Sequence, residues 1–122
     1  MQYKKLGITN LKVSVIGLGT MTFGEQNSES EAFELMNYAN EKGVNFIDTA
    51  EIYPVYPKKD TCGKTEEIIG NWIKTKKNRD KIIISSKIAS NHPAGIGATK
   101  LSWIRKGGEN LCFDKENINK AV

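Results

Sequence analysis

The chain contains few of the residues from which metal and disulfide sites are built. It has one histidine and two cysteines, Cys62 and Cys112, in 122 residues. Structural zinc sites use four Cys or His ligands, and these two cysteines form no C-x-x-C pair. We therefore expect two free thiols in a reducing compartment, no bound metal and a cytoplasmic location.

Long apolar segments are missing as well. No run approaches the ~20 residues that span a bilayer, and the opening residues MQYKKLG contain no apolar core of a signal peptide. The net charge of +4 comes from scattered groups. The densest of them, residues 74–81, has no aromatic side chain to stack on a base, so we interpret it as a solvated helix end. We expect one domain over residues 1–122, with no nucleic-acid or membrane partner.

Short apolar runs alternate with helical periodicities along the chain. Residues 3–6 and 11–14 predict a hairpin, and residues 15–19, 44–47 and 81–88 predict three buried strands. These strands are apolar without strict alternation, which is typical of a parallel sheet covered by helices. The pattern leaves two architectures open, a doubly wound sheet and a (β/α)8 barrel.

Polar residues mark the ends of the predicted helices. Ser28 and Glu31 have the spacing of a capping box at the start of the first helix. Gly43 predicts the end of that helix, since glycine readily adopts the left-handed conformation found there. Thr65 is the predicted N-cap of the second helix, and Asp114 that of the third.

Gly17 and Gly19 lie at the end of a predicted strand and suggest a dinucleotide-binding fingerprint. However, Thr22 occupies the position of the third glycine, and no helix begins there. We interpret the two glycines as a tight turn at which the backbone can approach a flat group.

Three residues with complementary proton chemistry follow the predicted strands. Asp48 and Lys87 lie at two strand ends, and Tyr53 follows Asp48 after a short loop. Because the carboxyl ends of parallel strands meet at one edge of a sheet, we expect these side chains to lie close together. A phenol has a pKa of ~10. An adjacent ammonium lowers that pKa, and a carboxylate beside the ammonium keeps it oriented. The sequence thus predicts a site where Tyr53 protonates a carbonyl oxygen as a hydride arrives at carbon.

Five stretches, residues 17–28, 45–54, 63–66, 70–72 and 85–87, together resemble the aldo-keto reductases, in particular one bacterial branch of that family. The runs GTMTFG and D-x4-Y carry most of the resemblance. It implies a TIM barrel that reduces aldehydes and ketones with NADPH. It also implies site roles: Tyr53 as general acid, Asp48 and Lys87 as residues that tune it, and Gly19, Thr20 and Met21 near the nicotinamide.

The resemblance fades after Lys87 until Asp114. The family's fourth catalytic residue is a histidine at the end of the next strand, which we expect beyond Val122, together with the loops that bind the cofactor phosphates. His92 lies in an irregular stretch over residues 89–113, and we interpret it as a solvated loop residue. We therefore expect an incomplete (β/α)8 TIM barrel, comprising the N-terminal hairpin and about the first three βα units, that ends within a helix.

Two functions remain open. The first is the N-terminal portion of an NADPH-dependent reductase of small carbonyl substrates. We expect this portion to be inactive by itself, because the loops that place the hydride donor are absent. The second is a non-catalytic partner or regulatory module of the same fold, or one half of a split enzyme that needs a C-terminal piece. The edge of the strand over residues 81–88 then offers a surface for association.

Overall fold

The computed structural model describes residues 1–90, 103–105 and 111–122. Its strands are β1 (Tyr3–Lys5), β2 (Lys12–Ser14), β3 (Leu18–Gly19), β4 (Phe46–Asp48) and β5 (Ile83–Ser85). Its α-helices are α1 (Glu29–Glu41), α2 (Lys64–Lys76) and α3 (Lys115–Ala121), and Arg79–Lys81 forms a 3-10 turn. Among these helices, none is long and apolar enough to cross a membrane.

The strands form two sheets. β1 and β2 pair antiparallel as the predicted hairpin, and the other three strands pair in parallel in the order β3-β4-β5. Because α1 and α2 separate strands that are neighbours in the sheet, the chain repeats a β-α unit in sequential order. The predicted alternation of strands and helices is therefore confirmed.

Asn45 fastens the hairpin to the start of β4. Its side-chain oxygen accepts a hydrogen bond from the Ser14 backbone N–H at 2.8 Å, and its amide nitrogen donates to the Lys12 carbonyl at 2.9 Å. Tyr3 adds a hydrogen bond from its hydroxyl to the Gly43 carbonyl, at 2.8 Å. The hairpin therefore lies at the amino end of β4, away from the strand end at Asp48.

The capping box of α1 forms as the sequence predicts. The Ser28 hydroxyl accepts from the Glu31 backbone N–H at 3.3 Å, and the Glu31 carboxylate accepts from the Ser28 backbone N–H at 2.7 Å. At the other end, Gly43 follows the last helical turn with φ +85°, a conformation that side chains other than glycine rarely adopt.

A single apolar cluster joins α1 and α2 to the parallel sheet. Trp72 of α2 is its largest member, and its indole N–H donates to the Asn37 side-chain oxygen at 2.9 Å. Burying each large apolar side chain is worth about 1.5–3 kcal/mol, so this cluster is the main source of stability. Its buried members are Phe23, Ala32, Met36, Ile47, Ile68, Ile69, Trp72 and Ile82.

The buried strand predicted over residues 15–19 is largely wrong. Only Leu18 and Gly19 are in β3, and the side chains of Val15 and Ile16 are 47% and 60% exposed. In the part of the chain that the structure describes, β3 pairs with β4 alone. The Val15 N–H instead donates to the Gln2 carbonyl at 3.0 Å, so Val15 continues the pairing of the hairpin and does not join the parallel sheet.

Thr65 was also wrongly predicted as the N-cap of α2. The cap position belongs to Gly63, whose φ of 81° is left-handed, and no side chain caps the helix there. Thr65 lies inside the first turn and is fully buried, and its hydroxyl donates to the Phe23 carbonyl at 2.7 Å. The hydroxyl thus joins α2 to the loop before α1 and is not available to cap its own helix.

The other two predicted strands are shorter than expected. β4 begins at Phe46, and β5 covers Ile83–Ser85 within the predicted range 81–88. Residues Arg79–Lys81 form the 3-10 turn, which delays the start of β5. The predicted N-cap of α3 is confirmed, since the Asp114 carboxylate accepts from the Asn117 backbone N–H at 2.8 Å.

Replacing Ser28 by alanine should lower the free energy of unfolding by about 1 kcal/mol, because the variant loses the hydroxyl that caps α1. Urea unfolding followed by circular dichroism measures this change. Glu34→Ala, an exposed position inside the same helix, is the matched control and should change stability by less than half as much. Equal effects of the two substitutions would contradict the role of the capping box.

Candidate active site

The ends of three parallel strands bring the predicted residues to one edge of the sheet, here called the carboxyl edge. Gly19 and Ser85 lie opposite Asp48 in the two neighbouring strands. Lys87 follows two residues after Ser85, and in extended chain that spacing returns a side chain to the same face. The carboxyl edge therefore presents Asp48 and Lys87 side by side.

Lys87 lies against both Asp48 and Tyr53. The Lys87 ammonium donates to the Asp48 carboxylate at 2.7 Å, and its nitrogen lies 4.9 Å from the centroid of the Tyr53 ring. The Lys87 and Asp48 side chains remain 48% and 42% exposed. The structure thus brings the three residues together at a position that a small molecule in solution can reach.

The surroundings of Lys87 favour its charged form. Partial burial acts to lower the pKa of Lys87, but its hydrogen bond to Asp48 and the nearness of Tyr53 raise that pKa above the ordinary value of 10.5. Lysine at this position is therefore a permanent cation at neutral pH, held against both a carboxylate and a phenol.

Backbone hydrogen bonds continue from β4 and β5 into the segments that carry the site. The Thr49 N–H donates to the Ser85 carbonyl at 2.8 Å, and the Glu51 N–H donates to the Lys87 carbonyl at 3.0 Å. The loop after Asp48 is therefore hydrogen-bonded to the segment that carries Lys87, beyond the last residues of β4 and β5.

Tyr53 is held by bonds on both sides of its peptide unit. Its N–H donates to the Ala50 carbonyl at 3.0 Å, which closes a turn, and its carbonyl accepts from the Gly63 N–H at 2.9 Å. Two residues later, the Val55 N–H donates to the Met21 carbonyl at 2.9 Å. These bonds connect the tyrosine loop both to the start of α2 and to the segment after β3.

The residues predicted to lie near a nicotinamide occupy the carboxyl edge beside Asp48. Among the described residues, and apart from its two chain neighbours, no heavy atom lies within 4 Å of the position that a Gly19 Cβ would occupy, and Met21 is 47% exposed. Thr20 is fully buried, and its hydroxyl donates to the Asp48 carbonyl at 2.8 Å. Gly19 and Met21 thus leave an open surface, while Thr20 supports Asp48 from within.

A buried ion pair that no sequence motif predicted lies next to the site. Glu51, between Asp48 and Tyr53, pairs with Arg105, and their side chains are only 15% and 7% exposed. Glu51 belongs to the stretch that carries the family resemblance, which was the one available signal. Arg105 lies in the stretch over residues 89–113, which was interpreted as irregular and carried no motif.

Other sequence-based candidates do not contribute to the described site. His92 lies outside the residues that the structure describes, and the described residues contain no group of three His, Cys, Asp or Glu placed to hold a metal. A cavity of about 300 Å³ opens elsewhere, between α2, β5 and the residue that follows β4, with Thr49, Ile69 and Ile84 among its lining residues. None of Asp48, Tyr53 and Lys87 lines it.

Parallel strands in sequential order with polar residues at their ends are typical of (β/α)8 barrel proteins. The profile of the Aldo/keto reductase family matches residues 15–122, and the chain belongs to that family of oxidoreductases. The resemblance seen in the sequence is thereby confirmed.

Particular relatives are similar to the chain over different lengths. Protein tas of Escherichia coli (strain K12) is 48% identical over 125 residues, which include all of this chain and 33% of that protein. The uncharacterized oxidoreductase YrpG of Bacillus subtilis (strain 168) is 42% identical over 89 residues, which are 72% of this chain and 26% of that protein. The chain thus spans a third or less of the length of the curated relatives it matches.

A solved structure shows the same architecture. The aldo-keto reductase AKR11C1 from Bacillus halodurans, in its holo form, superposes with a TM-score of 0.61 and 30% identity. The match covers 80% of this chain and 29% of that one. The expected partial (β/α)8 barrel, a hairpin followed by parallel strands in sequential order, is confirmed.

The charged contacts of Lys87 should make stability depend on pH in alkaline solution. Because the folded-state pKa of Lys87 is raised, its contribution is present below the unfolded value of 10.5 and is lost as pH rises through the folded value. The difference in unfolding free energy between the natural chain and Lys87→Met should therefore shrink in that range, as measured by urea unfolding at a series of pH values.

The same pair of measurements in an Asp48→Asn background provides the control. Without the carboxylate, the difference attributed to Lys87 should change less with pH, because the hydrogen bond to Asp48, the largest of the contributions that raise the pKa of Lys87, is gone. An unchanged pH dependence in that background would contradict the assigned cause.

Proposed function

We propose that this chain carries the proton-donating part of an NADPH-dependent reductase that converts aldehydes and ketones to alcohols. One observation carries the proposal. The Lys87 ammonium lies 2.7 Å from the Asp48 carboxylate and also faces the Tyr53 ring. Proton transfer to a carbonyl oxygen requires a proton donor and charged groups that tune it. Here the donor is the Tyr53 phenol, and the Lys87 ammonium and the Asp48 carboxylate lie beside it at the carboxyl edge.

Tyr53 is the proton donor in this proposal. Its hydroxyl gives a proton to the carbonyl oxygen of the substrate, which becomes the alcohol oxygen. The Lys87 ammonium stabilises the phenolate that remains, and Asp48 keeps the ammonium in place. Because Tyr53 is held through backbone bonds to Ala50 and Gly63, the donor is positioned before substrate arrives, which lowers the entropic part of the barrier.

The surface next to Asp48, Tyr53 and Lys87, here called the triad, fits a flat cofactor ring. Gly19 has no side chain, and within the described part of the chain a Cβ at its position would meet nothing within 4 Å beyond its two chain neighbours. The neighbouring Met21 side chain is available to contact a ring, and Thr20 holds the edge of Asp48 from inside. When bound there, NADPH supplies a hydride to the carbonyl carbon. Gly19, Thr20 and Met21 are thus proposed to lie near the nicotinamide, with Gly19 and Met21 at the surface and Thr20 supporting Asp48 from inside.

The rest of a cofactor site is proposed to lie outside residues 1–122. The chain covers 33% of protein tas and 29% of the AKR11C1 chain, so most of each relative has no counterpart in it. We therefore propose that the 122-residue chain has no measurable turnover by itself and acts as the N-terminal portion of a complete barrel.

A fusion in which residues 1–122 replace the aligned third of protein tas tests the proposal. We expect the fusion to oxidise NADPH when given 4-nitrobenzaldehyde or methylglyoxal, as followed by the loss of nicotinamide absorbance. Tyr53→Phe should lower kcat about 10²–10⁴-fold, because the ring remains but the proton donor is removed. Tyr56→Phe, an exposed phenol three residues away, is the matched control and should leave kcat within twofold.

Two outcomes would contradict the proposal. A folded fusion without NADPH oxidation would support the non-catalytic module instead. Turnover by the isolated chain that is lost in Tyr53→Phe would refute the proposed need for the remaining barrel.

A further inference from the structure

The carboxylate of Glu51 is surrounded by donors from two other parts of the chain. Its oxygens accept from the Arg105 Nε at 2.5 Å and Nη2 at 3.1 Å. One of them also accepts from the Ala89 backbone N–H at 2.8 Å. The carboxylate is therefore held by a bidentate, charge-assisted pair and by one backbone group.

Arg105 extends this network to the last helix. Its Nη1 donates to the backbone and side-chain oxygens of Asn117 at 3.0 and 3.1 Å, and its Nη2 donates to the Ala89 carbonyl. Every nitrogen of the guanidinium thus has an acceptor. Arg105 lies at the meeting point of three segments: the loop after β4, the chain after β5, and α3.

The hydrogen bonds of Glu51 and Arg105 join the two segments that carry the triad, the loop after β4 and the chain after β5. Glu51 lies between Asp48 and Tyr53, and Ala89 lies two residues after Lys87. The Glu51 backbone N–H binds the Lys87 carbonyl at 3.0 Å, while the Glu51 carboxylate binds the Ala89 N–H at 2.8 Å. Two bonds from one residue to alternate residues of the other segment fix the relative register of the segments.

Fold stability alone does not explain why this position is charged. A buried ion pair recovers little net free energy after desolvation, and apolar residues of similar size often replace it without loss. What it adds is directional geometry, because a guanidinium fork accepts only a narrow range of carboxylate positions.

We propose that Glu51 and Arg105 are positioning residues, whose ion pair fixes the loop of Tyr53 against the segment of Lys87 and so keeps the ammonium on the phenol. The catalytic meaning of this role rests on the proposed function. The geometric role is independent of it, since it concerns only the placement of two side chains.

The first test uses the 122-residue chain and needs no activity. A lysine whose ammonium lies over a tyrosine ring has its neighbouring methylene protons shifted upfield, and this shift decreases steeply with distance. NMR measures it for Lys87 as the difference between the natural chain and Tyr53→Leu. We expect the shift to fall by at least half in Glu51→Gln and Arg105→Gln, and to be partly retained in Arg105→Lys, which keeps the charge but not the fork.

The matched control is the exposed ion pair of α3, Lys120 with Glu116 at 2.7 Å. Glu116→Gln should leave the Lys87 shift unchanged. An unchanged shift in both Glu51→Gln and Arg105→Gln, with amide exchange accelerated only in α3, would overturn the proposal, because the pair would then serve only to anchor that helix. Glu51→Gln retains an acceptor for Ala89, which makes it the mildest variant for a folded comparison.

The second test measures catalysis in the fusion with protein tas. Displacing the ammonium from the phenol should lower kcat on the order of 10- to 100-fold in Glu51→Gln with KM within about twofold, because the loss falls on the proton transfer. A fall in the NMR shift without a fall in kcat would contradict the positioning role in catalysis. If the unsubstituted fusion has no turnover, the proposed function fails, while the NMR result still decides the geometric role.

Discussion

The parallel pairing of β4 with β5 determines where every group of the site lies. Asp48 is opposite Ser85 in this register, and Lys87 follows two residues later on the same face of the extended chain. Because side chains alternate between faces, a slip of one residue would turn the ammonium away from the carboxylate. The 2.7 Å contact between Lys87 and Asp48 therefore depends on backbone hydrogen bonds that neither side chain makes.

Stability and chemistry use different parts of the same strand. Ile47 is buried among α1 and α2, whereas the next residue, Asp48, is at the solvent-accessible carboxyl edge. Trp72, also buried in this cluster, packs far along α2 from the tyrosine loop. This division lets the apolar cluster supply the rigid support, while residues at the strand ends provide polar groups that need not be buried.

Local sequence patterns predicted which helices and strands form better than they predicted where each begins and ends. The capping box of Ser28 and Glu31 was predictable because both partners are three residues apart and act within one turn. Val15 and Ile16 were predicted as buried because they are apolar, but burial depends on a neighbouring strand that an apolar pattern cannot reveal. Thr65 has the chemistry of a cap, yet its hydroxyl bonds to Phe23, 42 residues away.

The amino-acid sequence by itself determined the alternation of strands and helices and the identity of Asp48, Tyr53 and Lys87 as a group. It could do so because strand ends and family motifs are local features of the chain. Only the tertiary structure decided that the Lys87 ammonium contacts both partners and that Glu51 pairs with Arg105. Glu51 and Arg105 are 54 positions apart. Their pairing depends on which segments the fold buries against each other, and residue spacing does not encode that.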